Sequence, residues 1–218
     1  MGFKPVNPRS LPKFAKTLYM ETIIAQSLLN SHSYNAYRKT VSDLLAEGKA
    51  TGGVQSEALV HYSLLNETRM NRLEKTVSIS EEMTQKLQAL PGNYIWLVLS
   101  EGWCGDAAQL LPVFHKMALA SGKIELKMVF RDANPALMDL FLTNGARSIP
   151  KLIILEPSSN KVLGSFGPRP KAAADLIRNY KEKFGVIDDT VKTELQKWYL
   201  HDKGLSTQNE LVALMESL

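Results

Sequence analysis

Cysteine is almost absent from this chain of 218 residues, in which Cys104 is the only one. A single cysteine cannot form an intrachain disulfide, and it excludes a zinc site built from several cysteines. No apolar run approaches the roughly 20 residues that a membrane-spanning helix needs. Blocks of five or more Lys and Arg residues, which mark nucleic-acid-binding arms, are also missing. We therefore expect neither a membrane nor a nucleic acid among the partners.

The start of the sequence, Met1 to Pro5, has no apolar segment of the signal-peptide kind. Because thiols stay reduced in the cytoplasm, we predict a cytoplasmic protein with a free thiol. Hydrophobic residues at 44% and charged residues at 22% are typical of a globular protein, and the net charge of +4 is mildly basic. None of the four histidines has a partner at the i, i+4 spacing of metal ligands, so we predict no metal site.

Helical periodicity dominates the first 90 residues. The pattern predicts four helices, over 11–29, 33–45 and 56–75 and from Ser80 onward, with a loop at 51–53. Ser80 is the predicted N-cap of the fourth helix, and Met83, Leu87 and Leu90 are its predicted buried stripe.

From Tyr94 the pattern alternates between strands and helices. An apolar run at 94–100 is typical of a strand buried on both faces. The elements predicted next are a helix from Gly105, a strand over 123–130, a helix from Asn134-Pro135 to Asn144-Gly145, and strands at 152–155 and 162–166. A helix from Pro170 to Gly185 follows, with Leu176, Ile177, Tyr180 and Phe184 predicted to face inward. The last two predicted helices are one that contains Val191, Leu195 and Trp198, and one that begins with a capping box at 207–210. This order predicts an α/β fold with a parallel β–α–β unit and an antiparallel hairpin.

Cys104 lies at a predicted strand-to-helix junction, within Trp103-Cys104-Gly105-Asp106-Ala107. The free N–H groups and the positive dipole end of a helix N-terminus stabilise a thiolate there and lower its pKa. This position indicates a nucleophilic thiol that forms mixed disulfides or a sulfenic acid. The alternative is a small buried residue, since free cysteine often packs as a hydrophobe.

Asp106 follows the cysteine by two residues and admits two interpretations. It is either an acid/base or recognition group beside the thiol, or a first-turn aspartate that interacts favourably with the helix dipole. We favour the second interpretation. Its negative charge would also oppose thiolate formation.

This layout, with Trp103-Cys104-Gly105 at the end of the first strand of the alternating region, resembles the thioredoxin-like superfamily. Pro112 lies eight residues after Cys104, where thioredoxins carry a helix-kinking proline. Ser148-Ile149-Pro150 ends 46 residues after Cys104 and resembles the cis-proline loop that faces the cysteine in thioredoxins. The resemblance covers about residues 85–185 and is closest to bacterial proteins with a Trp-Cys-Gly-Asp motif and additional terminal helices.

The resemblance implies a thioredoxin-like fold, a central mixed sheet flanked by helices. It divides the chain into a helical N-terminal extension over 1–84, a thioredoxin-like domain over 85–185 and C-terminal helices over 186–218. Two positions depart from the family. Ala107 replaces the resolving cysteine, which excludes an intramolecular dithiol–disulfide cycle, and Val98 replaces a buried aspartate that assists proton transfer in thioredoxins.

The resemblance also defines a set of residues expected to line the site around Cys104: Trp103, Gly105, Asp106, Ala107, Arg147, Ile149 and Pro150. Arg131, Arg147 and Arg169 together would hold a glutathione carboxylate or a phosphate, or stabilise the thiolate. The alternative is a set of separate surface ion pairs, for instance Arg131 with Asp132. Arg69, on an earlier helix, is either a lid or anchor at the thiol or part of a solvated face.

The leading hypothesis is monothiol redox chemistry. Cys104 would attack a disulfide, a peroxide or glutathione disulfide on a protein or small-molecule partner, and a second thiol would resolve the intermediate. The alternative is a non-enzymatic module that binds a peptide or protein in a groove formed by Trp103 and Pro150. A third hypothesis is glutathione or iron–sulfur binding across a dimer. Otherwise the sequence predicts no cofactor.

Overall fold

A five-stranded mixed sheet forms the centre of the molecule in a computed structural model that describes residues 12–218. Its strands are β1 (His32–Ser33), β2 (Tyr94–Ser100), β3 (Ile124–Phe130), β4 (Lys151–Leu155) and β5 (Val162–Phe166). Their order across the sheet is β1-β3-β2-β4-β5. Strands β2 and β3 are parallel, and every other neighbouring pair is antiparallel.

Helices flank the sheet and extend the chain at both ends. They are α1 (Lys13–Leu29), α2 (Tyr34–Ala46), α3 (Glu57–Thr76), α4 (Glu81–Gln88), α5 (Gly105–Ser121), α6 (Pro135–Leu140), α7 (Lys171–Phe184), α8 (Asp189–Asp202) and α9 (Leu205–Glu216). The predicted start of the first helix at Leu11 lies outside the described residues. None of the helices in the described part of the chain has the length and apolarity to cross a membrane.

The predicted α/β class, with a thioredoxin-like mixed sheet and helical terminal parts, is confirmed. Strand β1 was not predicted, because a two-residue strand carries no periodicity. It adds an antiparallel edge, with His32 opposite Met128 and Ser33 opposite Lys127.

Three local predictions are wrong. Helix α6 ends at Leu140, because Asn144 and Gly145 take left-handed φ values of 51° and 78° in a tight turn that Thr143 and Ala146 close with paired backbone hydrogen bonds. Phe184 is 53% exposed at the last position of α7 rather than inward. Helix α9 begins at Leu205, so the predicted capping box at 207–210 lies inside the helix, where the Gln208 side chain donates a hydrogen bond to the Ser78 carbonyl.

The junction between β2 and α5 is fixed by the buried core around it. Strand β2 is central in the sheet, and its apolar side chains at Trp96 to Leu99 are fully buried. Helix α5 follows it and is buried along most of its length, with α3 packed against it. The junction of β2 and α5 is therefore held from several sides.

Candidate functional site

Cys104 is the N-cap residue of α5, and its Sγ accepts a hydrogen bond from the Ala107 N–H at 3.5 Å. The thiol donates to the carbonyl oxygen of Ile149 at 3.3 Å. The Ile149–Pro150 peptide bond is cis, as the resemblance implied. The structure therefore brings the cysteine and the proline loop together, although 45 residues separate Cys104 from Ile149.

The thiol itself is buried, with Cys104 only 8% exposed. Burial, reinforced by the negative charge of Asp106, raises the pKa of the Cys104 thiol to about 12. The backbone N–H groups of Ala107 and Asp106 and the charge of Arg169 oppose this rise. The prediction of a lowered thiol pKa is therefore wrong for this conformation, because desolvation outweighs the helix N-terminus. Cys104 is protonated at neutral pH.

Asp106, in the first turn of α5, forms a buried ion pair with Arg169. Its Oδ2 lies 2.6 Å from Nη2 of Arg169, and its Oδ1 accepts a hydrogen bond from Nε of Arg169 at 2.9 Å. The Tyr199 hydroxyl also donates to Oδ1, at 2.8 Å. Asp106 lies in the first turn of α5, as the preferred interpretation placed it, but it is only 8% exposed. The three side chains form a charged cluster beside the thiol.

Burial and pairing act in opposite directions on the pKa values of the cluster. Burial raises the pKa of the Asp106 carboxyl, whereas Arg169 and the Tyr199 hydroxyl oppose that rise. Burial alone would lower the pKa of Arg169, but the attraction of Asp106 outweighs it and the pKa is raised. The pKa of Tyr199 is raised by burial and by Asp106, which keeps its hydroxyl protonated as a donor. The guanidinium of Arg169 therefore serves as the partner of the buried Asp106 carboxylate.

The other two arginines form separate ion pairs. Arg147 pairs with Asp139 through two hydrogen bonds of 2.7 Å, with both side chains about half exposed. Its place beside Cys104 stays a prediction. Arg131 pairs with Asp132 at 2.8 Å, as the alternative interpretation predicted. Its guanidinium carbon also lies 4.7 Å from the centroid of the Trp103 ring.

Trp103 is held at the rim of the site. Its indole N–H donates to the Thr51 carbonyl at 3.2 Å, and the Thr51 hydroxyl accepts the Gly102 N–H at 2.9 Å. The loop at 51–53 therefore supports the residues that precede the thiol. Ala107, at the resolving-cysteine position, is only 1% exposed and is packed into the core.

Helix α3 is hydrogen-bonded to the segment that leads to Cys104. The Asn66 side chain donates to the Gly102 carbonyl at 2.9 Å, and its Oδ1 accepts a hydrogen bond from Arg69 at 2.8 Å. Arg69 is thus linked, through the Asn66 side chain, to the backbone that leads to Cys104. The lid or anchor role stays a prediction.

Sequence reasoning missed Tyr199 and Gln196 of α8 as neighbours of the site. Tyr199 contacts Asp106, which lies 93 residues earlier in the sequence. The amide oxygen of Gln196 accepts a hydrogen bond from Gln109 of α5 at 2.8 Å. A side-chain atom of Gln196 lies 3.8 Å from the point where a Cβ on Gly105 would stand. No local motif signals these contacts, since they depend on how α8 packs against α5.

Glu101, three residues before the thiol, is a fully buried carboxylate. Its Oε1 accepts the Asp132 N–H at 2.9 Å, whereas Oε2 is buried without a well-formed hydrogen bond to any described residue. Burial raises the pKa of Glu101, although Thr51 and the Asp132 N–H oppose the rise. The charged form is therefore less favourable in the folded protein than it is in water.

This burial predicts the effect of Glu101→Gln on stability. A raised folded-state pKa contributes stability at low pH, which is lost as the pH rises through that pKa. The amide keeps the acceptor for Asp132 and carries no charge. We expect similar free energies of unfolding for both proteins near the ordinary glutamate pKa of about 4.3, and a more stable variant at neutral pH. Urea unfolding at the two pH values measures the difference, with exposed Glu194→Gln as control. A variant that loses stability relative to wild type as the pH rises would contradict this prediction.

Fold and site together define a class: a thioredoxin-like protein with one N-capping thiol that faces a cis-proline loop. The family model described as Thioredoxin matches residues 52–182, and the chain belongs to this family. The match begins at the loop that supports Trp103 and ends within α7.

Two solved structures share this fold. A protein of unknown function from Pseudomonas aeruginosa, with a crystal structure at 1.5 Å, has a TM-score of 0.54 and 16% identity over 85% of this chain and 98% of that one. An HIV epitope-scaffold has a TM-score of 0.52 and 20% identity over 86% of this chain and 99% of the scaffold. None of the curated proteins compared with the chain matches it significantly.

Proposed function

We propose that the protein carries out thiol–disulfide exchange as a monothiol, with Cys104 as the nucleophile. The observation that carries the proposal is the position of Sγ, at the N-cap of α5 and 3.3 Å from the Ile149 carbonyl oxygen of the cis-proline loop. An incoming disulfide sulfur would be received between the helix N-terminus and this loop. The backbone around Ile149 would bind an extended segment next to that disulfide by β-augmentation.

The reaction proceeds in two exchange steps. Cys104 loses its proton and its sulfur attacks one sulfur of the partner disulfide; the new S–S bond forms as the old one breaks, and the departing thiolate takes up a proton. A second thiol, such as glutathione, then attacks the mixed disulfide, releases Cys104 and forms a disulfide with the partner's sulfur. The external thiol is required because Ala107 replaces the resolving cysteine.

The raised thiol pKa makes the protonated form the resting state. Exchange therefore requires that the hydrogen bond from the thiol to the Ile149 carbonyl be replaced by contacts with the partner, and that the residues covering Cys104 move aside. The proposed substrates are disulfide-containing proteins or small disulfides of the cytoplasm, with glutathione as the small thiol.

Loss of turnover in Cys104→Ser tests this function. We expect wild type to accelerate glutathione-dependent reduction of a small disulfide in proportion to protein concentration, and Cys104→Ser to reduce the rate to the uncatalysed background. Asp139→Asn, which removes a half-exposed carboxylate paired with Arg147, is the matched control and should turn over like wild type. Equal turnover in wild type and Cys104→Ser, or none above background in either, would refute the proposal.

A second candidate is the non-enzymatic binding module, favoured by the burial of Cys104 and its raised thiol pKa. Here Trp103 and Pro150 would hold a peptide, and Cys104 would act only as a packed hydrophobe. A partner bound with equal affinity by wild type and Cys104→Ala, together with no turnover in wild type, would favour this candidate.

A further inference from the structure

A positively charged pocket lies between α3, α5 and α8, beside the first turns of α5. Its volume is about 430 Å³. The polar side chains that matter here come from all three helices: Arg69 and Arg72 of α3, Gln109 of α5, and Gln196 and Lys197 of α8. This anion pocket, as we name it, is separate from the Asp106 cluster.

The cations of the anion pocket have no acidic partner among residues 12–218. Arg69 is half-buried and donates to the neutral Asn66 amide, and neither Arg72 nor Lys197 takes part in a described ion pair. Burial and the nearby positive charge of Arg72 both lower the pKa of Arg69. Three like charges thus converge on a pocket whose described lining contains no carboxylate.

The other two polar groups add neutral hydrogen-bonding capacity. Gln109 is 6% exposed, and its amide donates to the Gln196 carbonyl at 2.8 Å. That bond fixes the orientation of the Gln196 amide, whose N–H groups have no described protein acceptor. A bound oxyanion would accept hydrogen bonds from this amide as well as from the guanidinium groups.

We propose that the anion pocket binds a small, multiply charged oxyanion ligand, through phosphate or carboxylate groups. Arginine forks match the geometry of both groups, and charge-assisted hydrogen bonds are about twice as strong as neutral ones. A ligand of two or more negative charges would relieve the repulsion between Arg69 and Arg72. The site stands independently of thiol exchange, since none of its ligands is Cys104.

Titration with inorganic pyrophosphate and, separately, with citrate tests the proposal. The readout is the shift of the Gln109 and Gln196 side-chain amide signals in NMR spectra of the full chain, at a constant ionic strength of about 150 mM, where charges more than about 8 Å apart are largely screened. We expect saturable binding of at least one anion, and the tighter of the two identifies the ligand as phosphate or carboxylate. We expect Arg72→Gln to weaken that binding by at least about tenfold. Cys104→Ser should bind like wild type, whatever the outcome of the turnover assay.

Lys75→Gln is the matched control, because it also removes one exposed positive charge from α3 but lies outside the pocket lining. It should leave affinity within about twofold, since separated surface charges are largely screened. Two results would overturn the proposal. One is a Kd above about 10 mM for both anions, and the other is equal weakening by Arg72→Gln and Lys75→Gln, which would indicate general charge attraction.

Discussion

Arg169→Met is expected to lower the free energy of unfolding by about 3 kcal/mol, because it leaves the buried carboxylate of Asp106 without its cation. Only the Tyr199 hydroxyl would remain as a side-chain partner. The value is at the lower end of the range for broken buried pairs, since the Arg169 side chain is 27% exposed and is partly screened by water. Urea unfolding at neutral pH, followed by tryptophan fluorescence, measures the change.

Two further variants test whether the unpaired charge of Asp106 causes the loss of stability in Arg169→Met. Arg147→Met breaks the exposed pair with Asp139 and should cost less than about 1 kcal/mol. Adding Asp106→Leu to Arg169→Met removes both buried charges and should recover most of the lost stability. If the double variant is as unstable as the sum of the single variants, the loss comes from packing and the assignment to an unpaired charge is wrong.

Cys104 of the native protein is expected to react with iodoacetamide at least about thirtyfold more slowly than in urea, at pH near 8. A thiol pKa raised from 9.0 to about 12 means about a thousandfold less thiolate. The greater nucleophilicity of a more basic thiolate offsets only part of this deficit. The native alkylation rate should still increase at the highest pH at which the protein stays folded. A rate that reaches a plateau below pH of about 8.5, the free-thiol value, would contradict the prediction.

Asp106→Asn tests the electrostatic part of this protection. Removing the negative charge beside Sγ should lower the thiol pKa and increase the native alkylation rate, whereas Asp139→Asn should leave the rate unchanged. A thermal unfolding curve for each variant shows whether the fold is intact at the assay temperature. An unchanged rate in a folded Asp106→Asn protein would show that burial alone protects the thiol.

The fold was predictable because its signals are local. The apolar run at Tyr94 to Ser100 and the hairpin strand Val162 to Phe166 have the bounds that periodicity gave them. The juxtaposition of Cys104 and Pro150 followed from the resemblance, because the spacing of the two motifs is preserved. Two-residue β1 and the end of α6 were missed or misplaced because tertiary pairing and a left-handed turn decide them.

The electrostatics of the site were not predictable from the sequence. Whether Asp106 is solvated or buried depends on Arg169 and Tyr199, 63 and 93 residues away. The direction of Arg147 was set by Asp139, which carries no motif. The thiol pKa follows from these arrangements together with burial, so a helix N-terminus alone gave the wrong sign.

The Tyr199 contact also bears on how relatives of this protein can be compared. The family match ends at residue 182, yet the carboxylate of Asp106 receives a hydrogen bond from α8, beyond that end. Positions 106 and 199 should therefore covary in an alignment of full-length homologues. Homologues that carry aspartate at position 106 are expected to retain a hydrogen-bond donor at position 199, and those that lack α8 are expected to have lost the aspartate. The identity of one residue in the shared segment thus predicts the architecture of the C-terminus.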